Sequence, residues 1–274
     1  MINKIVVIGS GNVATHLGKA LKNAGKEIMQ VYSKTEGSAS TLANILDCPY
    51  TSNIDKLLPE ADLYIISVTD SAISEIIDIF PFEDVLVAHT SGSTDINVIT
   101  SKNIRAAVFY PMQTFSKDVD VDFDEIPICL EAGTTEDINE LNKLAVTITS
   151  KVYKIDSDQR LILHIAAVFA CNFTNFMFSI AEDLLNRNDL DYDIIEPLIK
   201  ETVRKALLIS PQKAQTGPAV RNDKAIIDLH LKRLSSFGNY HDLYNIISNG
   251  IISNYTNKNE KDINNGKDIN NGKF

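Results

Sequence analysis

The chain has 274 residues, of which 44% are hydrophobic and 23% charged, values that are usual for a globular protein in water. At about 150 residues per domain, this length predicts two domains. The 36 acidic and 26 basic side chains give a net charge of −10, which argues against nucleic acid as a partner, because a phosphate backbone attracts a surplus of lysine and arginine. Three scattered cysteines without a CxxC pair predict reduced thiols in a cytoplasmic protein and no metal site.

The first part of the chain alternates between apolar, β-branched runs and segments of helical periodicity. The strand-like runs are Ile5–Ile8, Ile28–Tyr32, Leu63–Val68, Val85–Ala88, Ala106–Tyr110, Ile126–Leu130 and Lys151–Ile155. Runs that are apolar throughout are typical of a parallel sheet covered on both faces. The fold class predicted for residues 1–156 is therefore α/β, with a Rossmann-type doubly wound sheet.

After residue 156 the pattern is helical only, which predicts an all-α domain over residues 157–256. Its first helix contains an uncharged stretch, Leu161–Ala181, that is long enough to span a bilayer but carries several polar side chains that are costly in lipid. We predict a buried helix here and no membrane partner.

The tandem KDINNG repeats near the C-terminus cannot bury enough apolar surface to fold, so residues 257–274 are predicted to form a disordered tail.

The strongest functional signal is a glycine-rich turn between the first strand and the first helix. The sequence KIVVIGSGNVATHLGKAL at residues 4–21 contains GxGxxA, a variant of the dinucleotide fingerprint, in its strand–turn–helix context. In this motif Gly9 permits the tight turn, Gly11 lets the backbone approach a pyrophosphate, and Ala14 lets the helix pack closely. The predicted pyrophosphate-binding residues are Gly9, Ser10, Gly11, Asn12, Val13 and Ala14.

The end of the second strand favours NADP over NAD. An NAD site normally places a carboxylate there, whereas this chain has Ser33 and Lys34, which suit a 2′-phosphate. The alternative is that Lys34 is only a surface lysine. Ligands of doubly wound sheets bind beyond the carboxyl ends of the strands. The further cofactor-binding residues predicted on that basis are Val68, Thr69, Asp70 and Ser91.

Several segments carry a resemblance to a known group of proteins. The chain resembles the superfamily of pyrroline-5-carboxylate reductase-like and deazaflavin-dependent NADP reductases in its glycine-rich turn, in ADLYIISVTDSAI, VLVAHTSGS and AAVFYPMQTFS, and in its all-helical second half. The closer similarity is to the branch of this superfamily with a C-terminal helical domain of unknown function, and it is carried by HTSGS, YPMQTF and TGPAVRND. The resemblance implies an NADP-dependent reductase whose helical domain often forms a homodimer, with a cleft between the domains. YPMQTF stands where related enzymes carry MPNTP-like or HPMAG-like loops, so their substrates are not transferred to this chain.

A hydride transfer to a carbonyl or imine also needs a proton donor, for which histidine is suited near neutral pH. His89 follows a buried strand at its carboxyl end, and His164 lies on the uncharged helix. At about 100° per residue, Asn175 falls near 20°, Ser179 near 60° and Asn172 near 80° from His164, so the four share one polar stripe. This stripe either faces the nicotinamide or forms a helix–helix network.

Three further residues are predicted to orient substrate. Tyr110 and Gln113 belong to the YPMQTF loop, and Arg221 could hold a substrate carboxylate or take part in capping a helix. The sequence thus predicts an NADP-dependent oxidoreductase acting on a small-molecule carbonyl, cyclic imine or deazaflavin. The alternative is an NADP-binding sensor or scaffold without catalysis.

Overall fold

The structure, a computed structural model, describes residues 1–100 and 103–268. It divides into two compact units, Met1–Phe173 and Thr174–Phe274. The last strand ends at Lys154, close to the predicted boundary at residue 156, but the first unit also includes the helix that follows.

The first unit is built on an eight-stranded sheet. Its strands are β1 (Lys4–Ile8), β2 (Glu27–Tyr32), β3 (Tyr50–Thr51), β4 (Leu63–Ile66), β5 (Leu86–His89), β6 (Arg105–Pro111), β7 (Ile128–Ala132) and β8 (Val152–Lys154). The strand order is β3-β2-β1-β4-β5-β6-β7-β8, and the pairs are parallel except for the antiparallel pair β6–β7. This Rossmann-like sheet, with its helices and a helical second unit, confirms the predicted fold class. The two-residue strand β3 was not predicted.

The helices of the first unit cover both faces of the sheet. They are α1 (Asn12–Asn23), α2 (Glu36–Leu46), α3 (Asp70–Asp78), α4 (Thr135–Ala145) and α5 (Ser157–Ala167), with a π-helical segment at Val168–Phe173. On one face, side chains of β1 such as Ile5 pack with α1, α2 and α4, while on the other face Val6 packs with α3. Burial on both faces explains why the strands are apolar throughout.

The register of the sheet brings the carboxyl ends of the parallel strands together. Ile8 of β1 pairs with Tyr32 of β2 and with Ile66 of β4, and Ile66 pairs in turn with His89 of β5. The loops that follow these four strands therefore leave the sheet at one edge, where ligands of such folds bind.

The second unit contains only helices within its described residues. These are α6 (Thr174–Asn186), α7 (Glu196–Ile209), α8 (Pro211–Ala214), α9 (Lys224–Leu234) and α10 (Tyr240–Asp268). The backbone of α10 continues past residue 257, where the predicted disordered tail begins, because adding residues to an existing helix is much easier than starting one. Residues 269–274 of the predicted tail lie outside the described residues.

The burial of the continuous helical stretch Ser157–Asn186 differs from the prediction. Among the described residues it is the helix that has the length and composition to cross a membrane, which is weak evidence by itself. None of its most apolar window is buried in the single chain, and Ile162 and Phe169 are 66% and 65% exposed. The prediction of a buried core helix is therefore wrong for one copy of the chain, in which the apolar side chains of this stretch stay exposed.

Candidate functional site

The glycine-rich turn has the geometry that a dinucleotide requires. Gly9 has φ +119°, and a Cβ atom on it would lie 2.0 Å from the carbonyl oxygen of Ser67, so only glycine fits. A Cβ on Gly11 would meet no protein atom within 4 Å. Gly11 is also the N-cap of α1 and provides no side-chain cap, which leaves first-turn amides free for an anion. The turn thus fits a pyrophosphate.

A cavity of about 710 Å³ in the first unit opens at this turn. It brings together most of the predicted site residues of that unit: Gly9, Ser10, Gly11, Asn12, Val13, Ser33, Lys34, Val68, Thr69, Asp70, Ser91, Tyr110, Gln113 and His164. Sequence reasoning missed other lining residues, namely Tyr32, Ser67, Ala72, Glu75, Ile76, Ile79, Thr90, Gly92 and Pro111. Ala14, by contrast, is buried in the core, as its predicted packing role requires. Cofactor-side and substrate-side predictions therefore converge on one cavity.

The residues after β2 form the polar side of this cavity. The hydroxyl oxygens of Ser10 and Ser33 are 2.9 Å apart, which links the glycine turn to the end of β2. Lys34 is exposed and is the sole lysine or arginine in the described lining, which also contains the carboxylates of Asp70 and Glu75. Positive charge is therefore concentrated at Lys34.

The segment after β5 is held in shape by hydroxyl groups. The Ser91 hydroxyl accepts hydrogen bonds from the backbone amides of Ser93 (3.1 Å) and Thr94 (2.9 Å), and the Ser93 hydroxyl donates to Asp70. Because its hydroxyl oxygen already accepts these two hydrogen bonds, Ser91 contributes to the cavity chiefly by shaping the wall.

The two predicted proton donors occupy different positions. His89 is fully buried and does not line the cavity; its Nδ1 accepts from the amide of Ser91 at 3.2 Å, and its Nε2 finds no hydrogen-bond partner among the described residues. Burial and the nearby Arg160 cation lower the pKa of His89 to about 4, so its imidazole is neutral at neutral pH. This placement does not support His89 as a proton donor. His164 is partly exposed and lines the cavity.

His164 faces Tyr110 across the backbone of Gly92. The Tyr110 hydroxyl lies 3.3 Å from His164 Nδ1, and burial raises the pKa of Tyr110 to about 12. A Cβ atom on Gly92 would come within 2.7 Å of His164 Nδ1 and 2.9 Å of Tyr110 Cζ. Gly92 is therefore required for the close approach of the two rings.

A buried arginine that the sequence did not indicate holds the helix of His164. The side chain of Arg160, on α5, is 1% exposed and forms an ion pair with Glu131 at the end of β7. It also donates to the carbonyl of Thr94 at 2.6 Å and to the hydroxyl of Ser157 at 3.0 Å. Arg160 thus connects three segments around the cavity. Its signal in the sequence is weak, because a charged residue at the start of a helix is usually solvated.

The loop after β6 is attached to α1. The Asn12 side chain donates to the carbonyl of Phe115 at 2.8 Å, and His16 Nε2 lies 2.9 Å from the carbonyl of Ser116, to which it donates. The His16 ring also stacks on Phe115. His16 is only 4% exposed, because the loop folds back over the helix. Residues of the cofactor turn therefore position the loop that carries Gln113.

The predicted polar stripe does not continue as one α-helical face. The π-helical segment contains Asn172 and has wider turns than an α-helix, so an angle of about 100° per residue does not apply across it. Asn172 is exposed and does not line the cavity. Asn175 and Arg221 belong to the second unit, and their contact with substrate stays a prediction.

No group of three or more His, Cys, Asp or Glu side chains that could hold a metal ion occurs in residues 1–100 and 103–268.

Comparisons with known proteins agree with this geometry. The model of a family described as coenzyme F420-dependent NADP oxidoreductase matches residues 4–90, and that of a domain of unknown function, DUF2520, matches residues 126–251. The crystal structure of a Bacteroides fragilis protein named as an NADP oxidoreductase has 45% identity and a TM-score of 0.86, covering 92% of this chain and 98% of that chain.

More distant structures share the fold. A Thermotoga maritima protein has 20% identity and a TM-score of 0.74, covering 89% of this chain and 96% of that chain. An imine reductase from Myxococcus stipitatus in complex with NADP⁺ has 16% identity and a TM-score of 0.61, with 94% of each chain covered. No curated protein sequence matches the chain. On the 45% identity over nearly the whole Bacteroides protein, the chain belongs to the family of NADP-dependent oxidoreductases that join a Rossmann-like domain to this C-terminal helical domain.

Proposed function

We propose that the protein transfers a hydride between NADP(H) and a small carbonyl, cyclic imine or deazaflavin-type substrate. The observation that carries this proposal is that the phosphate-binding turn and the Tyr110–His164 pair line the same cavity. When bound, the reduced nicotinamide supplies the hydride. The residues of the chain bind and orient both molecules and supply the proton.

The glycine turn and the end of β2 account for cofactor binding. The free amides of Gly11, Asn12 and Val13 at the start of α1 hold the pyrophosphate. Ser33 and Lys34 hold the 2′-phosphate, because Lys34 is the lysine that lines the cavity. Val68, Thr69, Asp70 and Ser91 form the wall along the ribose.

The substrate lies beside Tyr110, Gln113 and His164. Of the two predicted histidines, His164 is the one through which the proton comes, because it lines the cavity and is partly open to solvent, unlike His89. Asn172, Asn175 and Arg221 remain the substrate-orienting residues proposed from the helical part of the chain.

We also propose that the protein forms a homodimer through its helical part. The exposed apolar side chains of Ser157–Asn186, such as Ile162 and Phe169, form a surface that is unfavourable in water. A second copy of the same surface would cover it. Analytical ultracentrifugation is expected to give a dimer, and Ile162→Glu together with Phe169→Glu should shift it toward the monomer.

Two measurements test the proposed function. Fluorescence titration should show NADPH binding more tightly than NADH, and equal affinities would contradict the roles of Ser33 and Lys34. NADPH oxidation should then be screened against ketones, cyclic imines and a deazaflavin. Tight NADPH binding without turnover of any class would instead favour the alternative of an NADP-binding sensor.

A further inference from the structure

We infer that Tyr110 delivers the proton to the substrate and that His164 acts behind it by returning a proton to the tyrosine. This inference rests on the proposed function and deepens it, because it separates the group that touches the substrate from the group that connects to solvent.

The arrangement of the two rings supports this order. Tyr110 Oη is 3.3 Å from His164 Nδ1, and the ring centroids are 6.3 Å apart at an interplanar angle of 73°. The histidine therefore meets the hydroxyl with a ring nitrogen and not with its face. Both side chains line the cavity, so the tyrosine hydroxyl is within reach of a bound substrate.

The absence of a side chain at Gly92 makes this contact possible. The backbone of Gly92 lies against both rings, and a Cβ atom there would occupy the space within 3 Å of each. Gly92 is itself buried in the segment after β5. Glycine is needed here to let the two side chains approach and not for its backbone conformation, because the φ angle of Gly92 is not positive.

The electrostatics give the two groups different tasks. Burial, Cys129 and the nearby Asp70 carboxylate raise the pKa of Tyr110 to about 12, so the hydroxyl keeps its proton at neutral pH until a substrate atom takes it. Tyr110 is held at the end of β6, whereas His164 is partly exposed on α5. The histidine is therefore the member of the pair that can exchange protons with water.

Reduction of a C=O or C=N bond consumes one hydride and one proton. The hydride adds to the carbon of a C=O or C=N bond, and the π electron pair of that bond forms the new O–H or N–H bond with the Tyr110 proton. The electron pair of the broken tyrosine O–H bond stays on Oη, which takes the proton from His164 Nδ1 while His164 Nε2 takes one from water. One hydride and one solvent proton are thus consumed.

The first experiment needs no turnover. In the full-length protein labelled with ¹⁵N-histidine, Tyr110→Phe should move the Nδ1 resonance of His164, which is assigned with His164→Gln. Tyr153→Phe, at an exposed tyrosine on β8, should leave it unchanged. An unmoved Nδ1 resonance in Tyr110→Phe would overturn the relay.

The second experiment measures single-turnover hydride transfer with a substrate found in the screen. Tyr110→Phe should slow the transfer by about 100-fold or more, the usual contribution of a general acid, with the NADPH Kd within about twofold. His164→Gln should slow it by only about tenfold, because water can still return a proton to the tyrosine. A larger loss in His164→Gln than in Tyr110→Phe would overturn the inference while leaving the proposed function intact. Failure of the wild-type protein to turn over any substrate would overturn both.

Discussion

Replacing the buried Arg160 by methionine should destabilise the first unit by about 3 kcal/mol. Methionine is close in length but leaves the Glu131 carboxylate, whose side chain is only 16% exposed, without its cation. Breaking a buried ion pair from one side typically costs about 3–5 kcal/mol. The lower value applies here because Glu131 still accepts hydrogen bonds from the amide and hydroxyl of Ser157, at 3.1 and 2.9 Å. The carbonyl of Thr94 also loses its donor.

The free energy of unfolding should be measured by urea denaturation at pH 7, followed by circular dichroism. Adding Glu131→Gln to Arg160→Met should recover at least ~1 kcal/mol, because it removes the unpaired charge. Lys151→Met is a matched control in the same unit: its ion pair with Glu125 is exposed and should be worth no more than about 0.5 kcal/mol. A loss below about 1 kcal/mol in Arg160→Met, or no recovery in the double variant, would refute the reasoning.

Three further predictions follow from the site. Gly11→Ala should change the free energy of unfolding by less than ~0.5 kcal/mol but weaken NADPH binding at least about tenfold, because its Cβ meets no protein atom and enters the phosphate turn. Gly9→Ala places a Cβ against the Ser67 carbonyl and should lower the free energy of unfolding in urea by ~2 kcal/mol or more. Gly250→Ala is the control for an open glycine outside the cavity. Lys34→Ala should raise the Kd for NADPH about tenfold and leave that for NADH unchanged; an equal change for both would contradict its role at the 2′-phosphate. Because burial lowers the pKa of His89 from 6.5 to about 4, the unfolded chain takes up this proton first as the pH falls, so stability should decrease between pH 6.5 and 4 by up to ~3 kcal/mol. In His89→Asn, which keeps an acceptor for the Ser91 amide, urea unfolding as a function of pH should show a smaller decrease, and identical curves would contradict this assignment.

The sequence predicts those features that depend on neighbouring residues. The turn at Gly9 and Gly11 is recognisable because the strand, the glycines and the helix are contiguous. The doubly wound sheet is predicted from the same local alternation of strands and helices. The antiparallel pair β6–β7 arises because a loop, not a long helical crossover, connects the two strands.

Features that depend on distant contacts could not be predicted in the same way. The burial of His16 depends on a loop 100 residues further along the chain, and the partner of Arg160 is 29 residues before it on another element. Periodicity also fails where the helix changes type: the angles that placed Asn172 beside His164 assume an α-helix through Val168–Phe173, which is π-helical. The contact between Tyr110 and His164 could not be predicted, because the two side chains meet across Gly92 and such a contact has no local signature in the sequence.

The attachment of the β6–β7 loop to α1 determines where this protein can accept changes in length. The connection from Met112 to Pro127 is fixed to Asn12 and His16 at Phe115 and Ser116, so it behaves as two loops instead of one. The first is very short and carries Gln113, while the second begins with the exposed residues 117–120. Lengthening a flexible loop costs little entropy, about 0.6 kcal/mol for each doubling. Insertions after Ser116 should therefore be tolerated during evolution or design, whereas one inserted residue before Phe115 would move Gln113 out of the cavity.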